Sequence, residues 1–217
     1  HKARIVRMGE EPDRVYDFGA PLVDGIIRLR EVSRDSLAER LGFPLEDPYL
    51  LVVFHPVTLE DHSAGWQMDE LLAAIEVLRH RSVFIMPNAD PGGRIIFQKI
   101  EKYTTRRPDA HQFISLERPL YLHLLGHAAA IVGNSSSGIT EAPSLGVPAV
   151  NIGDRQRGIL KGPNVIDCDT KREAIIGAIR QALDPVFRDT LCGIVSPYGD
   201  GNSCKRIVDV LEEVKLG

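Results

Sequence analysis

Short β-branched runs alternate with amphipathic stretches along this chain, and that alternation leaves few folds open. Tyr49-Leu50-Leu51-Val52-Val53-Phe54 reads as a buried strand, and Met68 to Leu78, apolar at Leu71, Leu72, Ile75 and Leu78, reads as a helix. The pattern then repeats: a strand at Ser82 to Met86, a helix at Arg94 to Tyr103, a strand at Gln112 to Leu116, a helix at Leu120 to Ala129, and a strand at Ala130 to Val132. A short helix to Leu145, a strand at Pro148 to Ile152 and an edge strand at Asn164 to Cys168 follow. Thr170 is placed to cap a helix from Lys171 to Leu183, and a last helix runs from Ser203 to Val214. About five or six strands separated by helices imply an α/β fold, a doubly wound parallel sheet covered on both faces. The first thirty or so residues fit less well: Arg4 to Glu10 looks like a helix end and Val15 to Gly19 like a strand, before a charged helix at Glu31 to Gly42.

Sheets of this kind bind ligands at the carboxyl ends of their strands, so the residues that follow each strand matter most. They are His55-Pro56-Val57-Thr58, Pro87-Asn88-Ala89-Asp90, Glu117-Arg118-Pro119, the run Gly133-Asn134-Ser135-Ser136-Ser137-Gly138, and Gly153-Asp154-Arg155-Gln156. The serine run suits a phosphate, because the first N–H groups of a helix lack internal partners and the helix dipole is positive there. Asn134 and the serines can cap that helix, while Gly133 and Gly138 would let a ligand approach the backbone. Glu141, one turn further on, can accept hydrogen bonds from a ribose diol. The plain alternative is a capped corner between strand and helix. For Asp90 and the glycines after Asn88 the alternative is ordinary turn chemistry.

Several functions are disfavoured. Gly153 to Gly158 has the glycine spacing of a P-loop but continues Ile159-Leu160 where Lys and Ser/Thr are required, and the serine run lacks the Gly-x-Ser-x-Gly of a nucleophile elbow. A net charge of −4 over 217 residues leaves no footprint for nucleic acid, and the pairs Arg79/Arg81 and Arg106/Arg107 read as solvated helix ends. No apolar stretch approaches a membrane span, and the basic start has no apolar segment behind it. Three cysteines, Cys168, Cys192 and Cys204, without Cys-x-x-Cys spacing fit a reducing, cytoplasmic setting with no metal and no cofactor.

Met8-Gly9-Glu10-Glu11-Pro12-Asp13-Arg14-Val15, His55-Pro56-Val57-Thr58, Pro87-Asn88-Ala89-Asp90, the serine run, Glu141, Gly153-x-Arg155-Gln156 and Tyr198-Gly199-Asp200-Gly201 occur in this order. Together they resemble the UDP-N-acetylglucosamine 2-epimerase family, in particular its hydrolysing branch, which makes N-acetylmannosamine for sialic acid. The non-hydrolysing branch carries His-Arg followed by Glu-Asn where this chain has His55-Pro56-Val57-Thr58. The resemblance covers only the family's second half. It implies the C-terminal Rossmann-like domain of a glycosyltransferase-B-type pair: residues 1–30 trail from the first domain and its linker, and residues 31–217 form the UDP-binding domain.

The resemblance further implies that Ser135 and Ser136 bind the pyrophosphate and Glu141 the ribose. Arg118 and Arg155 would line the nucleotide pocket, His55, with Asn88 nearby, would face the phosphates and hexose as the catalytic residue, and a cationic His55 or Arg155 would favour the departing phosphate. In the family reaction UDP is eliminated to give a 2-acetamidoglucal, to which water adds with inversion at C2, most of the proton chemistry belonging to carboxylates of the first domain. The implied partners are UDP, a UDP-N-acetylhexosamine, the missing domain and, by family analogy, a second copy of the chain. The other classes to weigh are a glycosyltransferase donor domain and a non-catalytic nucleotide-sugar module. Thr58, Asp61 and His62 are candidates to close over the ligand. The apolar face of the last helix, Ile207, Val208, Val210 and Leu211, is expected to pack on the first domain and to be partly exposed alone.

Overall fold

A computed structural model describes residues 2–45, 48–57, 63–88 and 90–213. Thr58, Asp61 and His62 lie outside the described residues. In chain order the elements are α1 (Lys2–Arg7), α2 (Pro21–Ile27), α3 (Arg34–Leu41), β1 (Tyr49–Val53), α4 (Ala64–Leu78), β2 (Arg81–Ile85), α5 (Gly93–Thr104), β3 (Ala110–Phe113) and α6 (Arg118–Gly126). They continue with β4 (Ala130–Gly133), α7 (Ser137–Thr140), β5 (Ala149–Ile152), β6 (Val165–Cys168), α8 (Arg172–Leu183), α9 (Pro185–Asp189) and α10 (Ser203–Glu213).

The six strands form one parallel sheet in the order β3-β2-β1-β4-β5-β6. It is the Rossmann-like, doubly wound α/β fold that the alternating pattern predicts. Side chains alternate across a strand, so β1 feeds two cores. Leu50 and Val52, with Phe54 just beyond, pack against Met68, Leu71 and Ile75 of α4, Ile96 and Ile100 of α5, and Ile175 and Ile179 of α8. Tyr49, Leu51 and Val53 pack on the other face against Leu37 and Leu41 of α3 and Leu124 and Leu125 of α6. A strand covered on both faces must be apolar throughout, as the unbroken run Tyr49 to Val53 is.

This winding puts the reversal of strand order between β1 and β4. The chain moves from β1 outward to β3, then crosses back to lay β4 on the other side of β1. The crevice at such a switch point is where open α/β sheets take ligands. Here it is floored by His55, after β1, and by the serine run, after β4.

Several elements depart from expectation. β3 begins two residues earlier and ends sooner than Gln112 to Leu116, because its register on β2 runs only from Ser82↔Ala110 to Ile85↔Phe113. Ile114 beyond it is exposed. Arg81 lies in β2, and Arg107 is paired with Glu76 and Asp109, so neither is a solvated helix end. Thr170 does not cap α8: Lys171 holds that position, and the free Arg172 amide donates instead to Glu70 Oε2 of α4 at 2.7 Å. Val15 to Gly19 forms no strand; it is irregular chain after a 3₁₀ turn at Pro12–Arg14, with Tyr16 stacked on Phe18.

Helix α2 went unread because it is short and contains Gly25, yet it anchors the N-terminal segment. Buried Asp24 accepts the Ser203 amide at 3.0 Å and the Cys204 amide at 2.8 Å, capping α10 from another helix. Burial would raise the Asp24 pKa, but these hydrogen bonds outweigh it and hold the carboxyl below its ordinary value. Ala20 donates to the Tyr198 carbonyl at 2.7 Å, and the Ser203 hydroxyl to the Phe18 carbonyl at 2.7 Å. On α10 itself Val208 and Leu211 are exposed while Ile207 and Val210 are half-buried, matching the expectation of an apolar face partly open to solvent.

Candidate nucleotide site

Five strand ends contribute to the crevice, and hydrogen bonds tie most of their polar residues into two groups. The first is built around Asn134, which is 1% exposed. Its side chain brackets the His55 backbone: Oδ1 accepts the His55 amide at 2.7 Å and Nδ2 donates to the His55 carbonyl at 2.8 Å. Its own carbonyl accepts Arg155 Nη1 at 3.1 Å and Gln156 Nε2 at 2.8 Å. β1, β4 and the loop after β5 therefore meet on one asparagine. Asn134 was expected to cap α7; it is instead spent on joining strand ends.

His55 Nδ1 accepts the Asn88 amide at 3.3 Å. That contact, assigned from the hydrogen-bond network, leaves the ring proton on Nε2. Burial, with the neighbouring Arg155 charge, pulls the His55 pKa down to about 4, against a smaller opposing effect from Asp90. Of the two expected cations, His55 or Arg155, the geometry favours Arg155: half-buried beside a guanidinium, the His55 ring is held neutral at pH 7. Asn88 contributes its backbone amide, and the Asp90 carbonyl accepts the Gly93 amide at 2.8 Å in the turn that opens α5.

The sign of the resulting pH dependence is fixed. Between about pH 6.5 and pH 4 an unfolded chain protonates at His55 where the folded one does not, so stability falls as pH drops through that window and the penalty is absent above it. His80, His111 and His123 are also shifted down by burial and add to the same slope. We predict that His55→Gln flattens the fall in urea midpoint between pH 6.5 and pH 4 without abolishing it; an unchanged slope would show that His55 titrates normally.

The second group surrounds Glu141, which is 6% exposed. Oε2 accepts the Ser137 hydroxyl at 2.6 Å and Oε1 pairs with Arg118 Nη1 at 2.9 Å. Arg118 is the first residue of α6 and largely exposed, whereas its partner is not. The Tyr121 hydroxyl, one turn along α6, is buried beside the Ser137 hydroxyl. Burial pushes its pKa up, and it feels the charges of Glu141 and Arg118. Sequence reading had Ser137 and Gln156 only as members of their motifs, without these roles, and missed Tyr121. Tyr121 sits in an apolar helical run and looks like core; its spacing of i+3 from Arg118 was the available signal.

Ser135 and Ser136 join the two groups. The Ser135 hydroxyl accepts the Ser137 amide at 3.3 Å, and the Ser136 carbonyl accepts Ile139 and Thr140 at 2.9 and 2.8 Å. The amides of Ser135 and Ser136 have no acceptor among the described residues, leaving two donors beside the Arg155 guanidinium for an anion. The glycines flanking this turn are required by the packing of protein on protein. A Cβ on Gly133 would meet Val53 O at 2.0 Å, and one on Gly138 would meet Ala149 Cβ at 3.2 Å, so both allow close packing of protein on protein.

The loop carrying Arg155 is fastened along its length. Beyond the Gln156 bond, the Tyr198 hydroxyl donates to the Leu160 carbonyl at 2.7 Å, and Lys161 pairs with Asp167 at 2.7 Å. Buried Asn164 donates to the Gly138 and Val147 carbonyls at 3.1 Å each. Among the described residues there is no group of His, Cys, Asp and Glu able to hold a metal, and no helix long and apolar enough to cross a membrane.

The whole arrangement offers one guanidinium, two open amides, hydroxyls and a fixed carboxylate at a switch point. Solved structures with this fold include the UDP-GlcNAc 2-epimerase of Neisseria meningitidis bound to UDP-GlcNAc, which superposes with a TM-score of 0.72 at 18% identity over 98% of this chain and 58% of that one. A Methanocaldococcus jannaschii UDP-GlcNAc 2-epimerase in complex with UDP-GlcNAc and UDP gives 0.73 at 17% identity, over 98% and 59%. The fold is accordingly the Rossmann-like fold of somewhat over half of each of those glycosyltransferase-B-type chains. In sequence, polysialic acid biosynthesis protein P7 of Escherichia coli is 34% identical over 98% of this chain and 54% of its own length. The UDP-N,N'-diacetylbacillosamine 2-epimerase (hydrolyzing) of Legionella pneumophila is 33% identical over 99% and 56%. The chain thus spans about half the length of the curated relatives it matches. A family model for UDP-N-acetylglucosamine 2-epimerase matches residues 1–212, and the chain belongs to that family.

Proposed function

We propose that this chain is the UDP-binding half of a hydrolysing 2-epimerase that converts UDP-N-acetylglucosamine to N-acetylmannosamine and UDP. The observation that carries the reading is the meeting of Arg155, the open Ser135 and Ser136 amides and the fixed Glu141 carboxylate at the switch point. Loss of UDP from the sugar develops negative charge on the departing phosphate. A guanidinium and oriented amides already in place stabilise that charge without reorganising, which is the main electrostatic route to a faster elimination. Neutral His55 adds an Nε2–H donor rather than a charge, so its part is to hydrogen-bond a phosphate or hexose oxygen. Glu141, held by Ser137 and Arg118, takes the ribose hydroxyls on its remaining lone pairs.

Residues 1–30 are the trailing piece of the first domain and its linker, docked through α2 on α10, and residues 31–217 are the nucleotide domain. The carboxylates for proton transfer at C2 belong to the family's first domain, outside these 217 residues. Alone, therefore, this chain binds UDP and releases no N-acetylmannosamine at an enzymatic rate, whereas the two-domain protein does. Turnover by the isolated chain, read as free UDP and free sugar, would refute the division of labour. A requirement for an acceptor sugar would mark a transferase instead. The similarity to the Legionella relative makes UDP-N,N'-diacetylbacillosamine the comparison substrate in the same assay.

A further inference from the structure

Asn134 holds four hydrogen bonds, and all four end on residues that the proposed function uses or on their immediate neighbour. Two, made by its side chain, fix the backbone of His55, and two, made by its main-chain carbonyl, hold the Arg155–Gln156 pair, so the side-chain bracket on β1 is what places that carbonyl. Its amide adds a fifth bond to Val53 O at 3.2 Å, at the end of β1. A buried asparagine with both side-chain ends satisfied resists rotation, because either rotamer change would strand a donor and an acceptor away from water. From this geometry we infer that Asn134 is a positioning residue that sets the reach of Arg155 and the orientation of the His55 ring together, so that neither can be placed without the other. The inference rests on the proposed function for what the two residues bind, but not for the coupling itself.

The coupling has a direction. The Asn134 carbonyl is an acceptor for Arg155 and takes no charge from it, so the guanidinium keeps its full charge for an anion while losing freedom of movement. The bracket on His55 fixes that backbone where Nδ1 reaches the Asn88 amide, which selects the Nε2–H form of the ring. Arg155 and Asp90 are the charged groups that act on this imidazole. Gln156, 4% exposed, shares the same carbonyl and prevents it from turning away when Arg155 engages a ligand.

Two readouts test the inference on the 217-residue chain. Nitrogen-15 spectra of the histidine rings at pH 7, without ligand, should show His55 as a single Nε2–H tautomer, and Asn134→Ala should replace it with averaged ring signals. Asn134→Ala keeps the carbonyl that holds Arg155 but removes the side-chain bracket that anchors it to β1, so UDP titration should show it weakening binding roughly tenfold, but less than about threefold when Arg155→Ala is already present. Tyr49→Phe, which removes a buried 2.6 Å hydrogen bond to Leu124 O at the far end of β1, should leave both readouts unchanged and so controls for stability alone. If Asn134→Ala does not fold, Asn134→Asp carries the test, since it keeps the size and the acceptor yet cannot donate to the His55 carbonyl. Unchanged His55 signals, or additive losses of affinity, would overturn the inference. Failure of the unmutated chain to bind UDP would count against the proposed function, and the ring signals would still decide the coupling.

Discussion

Gly133→Ala is expected to destabilise the fold by about 3–5 kcal/mol, the sum of left-sided backbone strain and overpacking at one position. Gly133 sits at φ +143°, and a methyl there would lie 2.0 Å from Val53 O and 2.7 Å from Val53 C. Both contacts are backbone, so no side-chain rotation relieves them; β4 must move away from β1. That shift also pulls Asn134 off His55, so UDP affinity falls with stability. The urea midpoint measures the effect. Gly177→Ala is the internal contrast: it stands within α8 with no atom within 4 Å of the added Cβ, and should stabilise by about 0.5–1 kcal/mol. Equal midpoints for the two variants would mean that β1 and β4 do not approach as closely as described.

Arg155→Ala should weaken UDP binding by about 1–3 kcal/mol, the usual range for a charge-assisted hydrogen bond lost at a partly buried site. The side chain is half-buried and held at 3.1 Å from the Asn134 carbonyl. Arg155→Lys should recover only part of the loss, because an ammonium cannot hold that carbonyl and a phosphate oxygen in one planar fork. The fold does not depend on Arg155 in the same way, since Gln156 remains on the same carbonyl, so the urea midpoint should hardly move. Calorimetric titration reads the affinity. An unaltered Kd would remove Arg155 from the site.

How much of this was legible depends on the range over which each feature is determined. β1, α4, β2 and β4 are fixed by their own apolar patterns, and the rule that ligands gather at strand ends then assembled His55, Asn88, Arg118, the serines, Glu141 and Arg155 on one edge. Strand order, and with it the switch point between β1 and β4, belongs to the assembled sheet and is not written in the local apolar patterns. What could not be read was set by partners distant in the chain. Asp24 caps α10 from about 180 residues away, and Arg172 finds its acceptor on Glu70. Asn134 looked like a local helix cap because Asn, Ser and Thr usually are, yet its acceptor and donor were claimed by His55. The charge state of His55 is the same kind of property: burial and Arg155 decide it, and neither is visible from the residues beside it.

The half-site reading comes down to one titration. UDP added to the 217-residue chain at pH 7.5 should bind at a single site, with the affinity lost in Glu141→Ala and reduced in Arg155→Ala, and UDP-N-acetylglucosamine should compete without being consumed. Absence of UDP binding by the folded chain, or binding indifferent to both substitutions, would contradict the assignment of the nucleotide to this domain.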